Sequence, residues 1–156
     1  MEKIDNVKKI LAPTDLSEAS AVGVRYALEM AEPRGAEVIV YHVVEVGEGW
    51  NRPREGSVIR DMLDRERRLL DRFLRDRFPE LINRVQTRQV VEFGAAQSNI
   101  VAKAAGEAVD IIVMSTHGRT GLDHLLIGSV SEKMVARAPC PVLVLPARKV
   151  GVARAA

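Results

Sequence analysis

The sequence predicts an α/β fold: one doubly wound sheet of five parallel strands in the order 3-2-1-4-5, with helices on both faces. Three observations lead there. Short apolar runs alternate with helical patterns along the chain, the signature of a parallel sheet covered by helices. The first, fourth and fifth runs are apolar nearly throughout, as strands buried on both faces must be. Two connections, after the first and fourth strands, are unlike ordinary turns. Ligands of open parallel sheets sit beyond the carboxyl ends of the strands, where the strand order reverses. In the order 3-2-1-4-5, strands 1 and 4 are the neighbours that flank this reversal.

Each element follows from its pattern. "KKILAP" (8–13) reads as the first strand, and "DLSEASAVGVRYALEMAEP" (15–33) as the first helix, with Ala21, Val24, Ala27, Leu28 and Ala31 on one face. "AEVIVYHVVEV" (36–46) is the second strand. The loop "EVGEGWNRPREG" has glycines, a proline and mixed charge, and is expected to be a mobile insertion. The second helix spans 57–78, with Ile59, Met62, Leu63, Leu70, Phe73 and Leu74 as its core stripe. It also carries seven arginines and five acids, read as a solvated face with i,i+4 ion pairs rather than a nucleic-acid surface. "VQTRQVVEF" (85–93) is the third strand; 96–108 is the third helix, with Ile100, Val101, Ala104 and Ala105 inward. "VDIIVM" (109–114), "SVSEKMVARA" (129–138) and "PCPVLVLPA" (139–147) complete the set. Residues 1–148 are expected to form one domain, and 149–156 a frayed tail with little periodicity.

Bulk properties exclude several classes. The net charge of +2 is too small to argue for nucleic acid or a membrane surface. No apolar run approaches the roughly 20 residues of a membrane span. The single cysteine, Cys140, allows no internal disulfide, and the first ten residues lack the apolar core of a signal peptide. The expected location is cytoplasmic. There is no G-x-x-x-x-G-K-[ST], no G-x-G-x-x-G after the first strand, and no G-x-S-x-G. His117 and His124 have no third ligand at metal spacing, and His42, inside a strand, reads as a packed residue.

The chemistry is expected at the two unusual connections. After the fourth strand comes "MSTHGRTGLDHLLIGS", far longer than the roughly 2–6 residues a strand-to-helix connection takes. Gly118 precedes Gly128 by ten positions, and Ser129 opens the next helix. A helix N-terminus offers unpaired N–H groups to an anion, and glycine lets the backbone approach it. Ser129 and Glu132 also satisfy an S-x-x-E capping box, which needs no ligand. After the first strand, Pro13 and Thr14 fix a turn that aims Asp15. The Asp15 carboxylate suits the two hydroxyls of a ribose; equally, Asp15 and Glu18 stand at D-x-x-E spacing for a cap.

Together, "ILAPTDLSEAS", "HVVEV", "DIIVMSTHGRTGLDHLLIGSVSEKMV" and "PCPVLVLP" make the chain resemble the universal stress protein family over nearly its whole length. The ATP-binding members of that family carry G-x2-G-x9-G-[S/T]; here Gly118, Gly128 and Ser129 match, and Ser115 replaces the first glycine. The resemblance implies a Rossmann-like fold of the adenine nucleotide alpha hydrolase-like kind, and ATP with magnesium as ligand. By position it places Pro13, Asp15 and Val43 around adenosine, with Thr14 in the turn between them. It places Met114, Ser115 and Gly118 along the ribose and phosphates, with His117 beside them. Gly128, Ser129, Val130 and Ser131 hold phosphate, and Arg119 is a charge partner. It also implies a homodimer, which the apolar edge strand Val142, Leu143, Val144 and Leu145 suits. The activity implied is an ATP-binding regulatory module with slow or no hydrolysis. The alternatives are a related dimer that binds no nucleotide, and an ATP-cleaving enzyme.

Overall fold

A computed structural model of the chain describes residues 5–116 and 129–147. Five strands, β1 (Lys9–Pro13), β2 (Glu37–Glu45), β3 (Gln86–Gly94), β4 (Ile111–Ser115) and β5 (Val142–Leu145), form one sheet. Its order is β3-β2-β1-β4-β5 and every pairing is parallel, as the sequence leads one to expect. The helices are α1 (Glu18–Ala31), α2 (Gly56–Arg77), the single turn α3 (Leu81–Arg84), α4 (Ala96–Gly106) and α5 (Ser129–Arg137). No described helix is long and apolar enough to cross a membrane.

The strands alternate between two cores. Ile10, Ala12, Val38, Val40, Ile111 and Val113 face one way and pack with Val24 and Leu28 of α1 and Leu70, Phe73 and Leu74 of α2. Leu11, Ile39, Tyr41, Ile112 and Met114 face the other way and pack with Ile100 and Ala104 of α4 and Met134 of α5. This partition is what right-handed crossovers require. The chain moves outward from β1 to β3 with its helices on one face, then jumps back to β4 and β5 with its helices on the other.

The seam between β1 and β4 is short, with Ile10 opposite Ile111 and Leu11 opposite Ile112. Asp110 clamps its lower end: Oδ2 accepts from the amides of Lys8 and Lys9 at 2.8 and 2.9 Å. At the other edge Arg88 of β3 donates from Nε to Glu37 at 2.8 Å, and from Nη1 and Nη2 to both carboxylate oxygens of Glu107 at 2.9 and 2.6 Å. These bonds outweigh partial burial and hold the Glu107 carboxyl down at about 2, against an ordinary 4.5. A group whose folded pKa is depressed contributes stability that is complete above its unfolded pKa and lost as pH falls. Stability is therefore expected to decline between about pH 4.5 and about pH 2. Denaturant melts across that window should show a shallower decline in Arg88→Met.

Two expectations are corrected. Of the expected stripe of α2, Leu70, Phe73 and Leu74 are buried and Ile59 and Leu63 half-buried, but Met62 is exposed. Because α2 covers β3 at the sheet edge, only its later turns find apolar cover on both sides. On α4, Ala105 is exposed, not inward. In the loop 46–55 the Trp50 ring packs on Phe93 with centroids 5.4 Å apart, closing an apolar groove with Ile59, Leu63 and Val91.

Candidate functional site

The pairing of β1 with β4 brings their carboxyl ends side by side. Extending the register from Leu11 and Ile112 sets Thr14 level with Ser115. What leaves the sheet here is, on one side, the turn 14–17 and, on the other, residues 115 and 116.

The turn is held at almost every polar atom. Thr14 N–H continues the β ladder to Tyr41 O at 2.9 Å. Thr14 Oγ1 lies 2.7 Å from Ser20 Oγ and accepts from Leu16 N at 3.0 Å. Asp15 Oδ1 accepts from Ser17 N at 3.0 Å, and Ser17 Oγ from Ser20 N at 3.1 Å. Ser17 is thus the N-cap of α1, and Asp15, one of the two residues weighed for that cap, instead closes the turn before it. Leu16 pays for the tightness with a left-handed φ of 66°.

Ser115 meets α1. Its Oγ accepts from Gly23 N at 2.8 Å. A Cβ on Gly23 would lie 2.9 Å from Ser115 N and Oγ and 3.0 Å from Met114 C, so helix and strand end touch at a separation only glycine permits. Beyond Ser115, Thr116 N donates to Leu145 O at 2.9 Å, tying the exit of β4 to β5.

The residues expected around a nucleotide fall into four groups. Pro13, Thr14 and Asp15 come together with Met114 and Ser115 across the seam; Pro13 and Thr14 are buried, Asp15 and Ser115 half-buried. Val43 lies on β2 two positions past Tyr41, the partner of Pro13, and its side chain, like that of Met114, belongs to the core on the α4 and α5 side. Ser129 and Val130 open α5, and Ser131 in its first turn is buried. His117, Gly118, Arg119 and Gly128 lie outside the described residues. Sequence reasoning missed Gly23, whose signal was a glycine inside the helical pattern "AVGVR". It also missed the role of His42, whose buried ring reaches Thr14 O with Nδ1 at 2.9 Å and Glu66 Oε2 with Nε2 at 3.3 Å.

A doubly wound α/β protein with its polar main chain and hydroxyls gathered at the strand-order reversal is the class that fold and site define. The chain matches the universal stress protein family over residues 6–146 and belongs to that family. It is 35% identical over 140 residues to a universal stress protein of Methanocaldococcus jannaschii, covering 88% of this chain and 81% of that one. Among solved structures it superposes on the universal stress protein UspA from Lactobacillus plantarum with a TM-score of 0.72 at 23% identity, covering 90% and 98% of the two chains. A universal stress protein family protein from Arabidopsis thaliana with AMP bound superposes with a TM-score of 0.60 at 18% identity, covering 91% and 93%.

Proposed function

We propose that this protein is a regulatory module that binds an adenine nucleotide, ATP with magnesium, between the carboxyl ends of β1 and β4. The observation that carries this reading is the juxtaposition of Thr14 and Asp15 with Met114 and Ser115 at the strand-order reversal. The AMP-bound relative supports an adenosine ligand. In this reading Pro13, Asp15 and Val43 surround adenosine, and main-chain groups near Val43 read adenine. Met114, Ser115, Gly118 and His117 line the ribose and phosphates. Gly128, Ser129, Val130 and Ser131, with Arg119, hold the phosphates. Magnesium comes with the phosphates, as it does where it keeps most of its waters and takes few protein ligands.

Turnover is slow or absent in this reading. Efficient cleavage needs a positioned water and charge neutralisation. The hydroxyls of Thr14, Ser17, Ser20 and Ser115 are engaged in holding the turn and α1, and one Asp15 oxygen accepts from Ser17. Calorimetry should show binding of ATP with magnesium and weaker binding of GTP. No heat and no competition at millimolar nucleotide would sink the proposal. A turnover number around 10 per second, typical of enzymes, would favour the ATP-cleaving alternative.

We further propose a homodimer through β5. Val142, Leu143, Val144 and Leu145 are all half-buried, and among the described residues β4 is the strand's one sheet partner. Pairing with a second copy covers the open edge and closes a two-fold.

A further inference from the structure

We propose that His42, braced by Glu66, is a positioning residue of this site: it fixes the Thr14–Asp15 peptide and so the main chain that meets the ligand. The inference rests on the nucleotide reading above for the ligand, and on geometry alone for the positioning.

The His42 side chain is 7% exposed, and both of its ring nitrogens have partners. A carbonyl oxygen only accepts, so the nitrogen facing Thr14 O carries a proton and donates. Nε2 lies 3.3 Å from a carboxylate oxygen of Glu66. Glu66 thereby sets the ring orientation, as an outer carboxylate does for a histidine whose other nitrogen is in use. A packing role would be met by any carbonyl. The one chosen belongs to the first residue beyond β1, whose peptide leads into Asp15.

The consequence follows from peptide geometry. No cis peptide occurs among the described residues, and in a trans peptide C=O and N–H point in opposite directions. With Thr14 C=O turned to His42, on the face that carries α2, the Asp15 N–H is directed to the opposite side. His42 also works with its neighbours on β2. Tyr41 O accepts from Thr14 N, so adjacent residues of β2 grip both ends of Thr14, and Val43 follows immediately. The grip matters because the turn is strained at Leu16, and a left-handed leucine persists only where surrounding bonds over-determine it. Glu66 is contributed by α2, so the pair links that helix to the turn.

The test uses His42→Phe, which removes both contacts. It is compared with His42→Asn, whose side-chain amide can donate to Thr14 O without reaching Glu66. Two readouts are taken on the folded full chain. One is the position and hydrogen exchange of the Asp15 and Ser17 amides by NMR without nucleotide; the other is ATP affinity by calorimetry. His42→Phe should shift both amides, speed their exchange and weaken ATP about tenfold, the equivalent of one lost hydrogen bond. His42→Asn should keep the amides near their parental positions and restore most of the affinity. Unchanged amides in folded His42→Phe overturn the inference. So does a loss of thermal stability shared by both variants with parental affinity, which is the signature of a packing role. If the parent binds no ATP, the nucleotide reading fails, and the amide comparison alone still decides the positioning. Should His42→Phe not fold, His42→Ala replaces it.

Discussion

Gly23→Ala is expected to destabilise the protein by about 2 kcal/mol, although alanine is the better helix former. In an exposed helix the exchange would gain about 1 kcal/mol. Here the new Cβ meets Ser115 N and Oγ at 2.9 Å and Met114 C at 3.0 Å, and two of those three atoms are backbone. Overpacking of this kind costs roughly 1–3 kcal/mol, and displacement of Gly23 N from Ser115 Oγ removes a hydrogen bond of about 0.5–1.5 kcal/mol. Ser115→Gly alone should lose only the hydrogen bond. Added to Gly23→Ala it should fail to rescue, because it clears only the hydroxyl and leaves the strand's backbone in place. Urea unfolding of the single and double variants checks this through a shifted midpoint at constant slope. A Gly23→Ala variant as stable as the parent would show that α1 does not press on β4. Since the same contact sets Ser115 beside the turn at Asp15, Gly23→Ala should also weaken ATP in the proposed site.

The second large effect concerns the proposed dimer. Val144→Lys places an ammonium on the β5 edge, where the side chain packs against the core of the α4 and α5 face. In a two-fold interface the substitution enters twice. An uncompensated buried charge costs roughly 3–5 kcal/mol, so the dimer should weaken at least about a hundredfold. Light scattering at micromolar concentration should report monomers, or the protein should become insoluble as its edge is laid bare. An unchanged soluble dimer would place the interface elsewhere.

The sheet was legible because its signals are local. Apolar runs mark β1, β4 and β5, helical periodicity marks α1 and α4, and the two odd connections mark the reversal between β1 and β4. Pro13, Thr14 and Asp15 could be placed at that reversal for the same reason. What sequence reasoning did not reach depends on distant partners. Whether Asp15 or Ser17 caps α1 turns on two residues of offset, and D-x-x-E spacing fits the wrong one. Gly23 is explained only by Ser115, 92 positions away. The pairing of His42 with Thr14 and Glu66 joins β1, β2 and α2, which no spacing rule connects. Met62 fits a helical stripe but lies where the sheet edge offers nothing to cover it.

The seam between β1 and β4 also governs the order in which the molecule can be made. The Asp110 clamp on Lys9 spans 101 positions of chain, whereas β1, β2 and β3 follow one another with a single helical crossover between neighbours. On a ribosome, the half of the sheet from β1 to β3 emerges first, with its α4 and α5 face bare. Closure of so long a loop is the slow, entropically unfavourable step. The candidate site straddles that seam, so it exists only after the last part of the sheet has docked. A ligand there would select finished molecules and resist their reopening, adding stability in proportion to the logarithm of its concentration. Nucleotide supply would then set the lifetime of the folded chain as well as its occupancy.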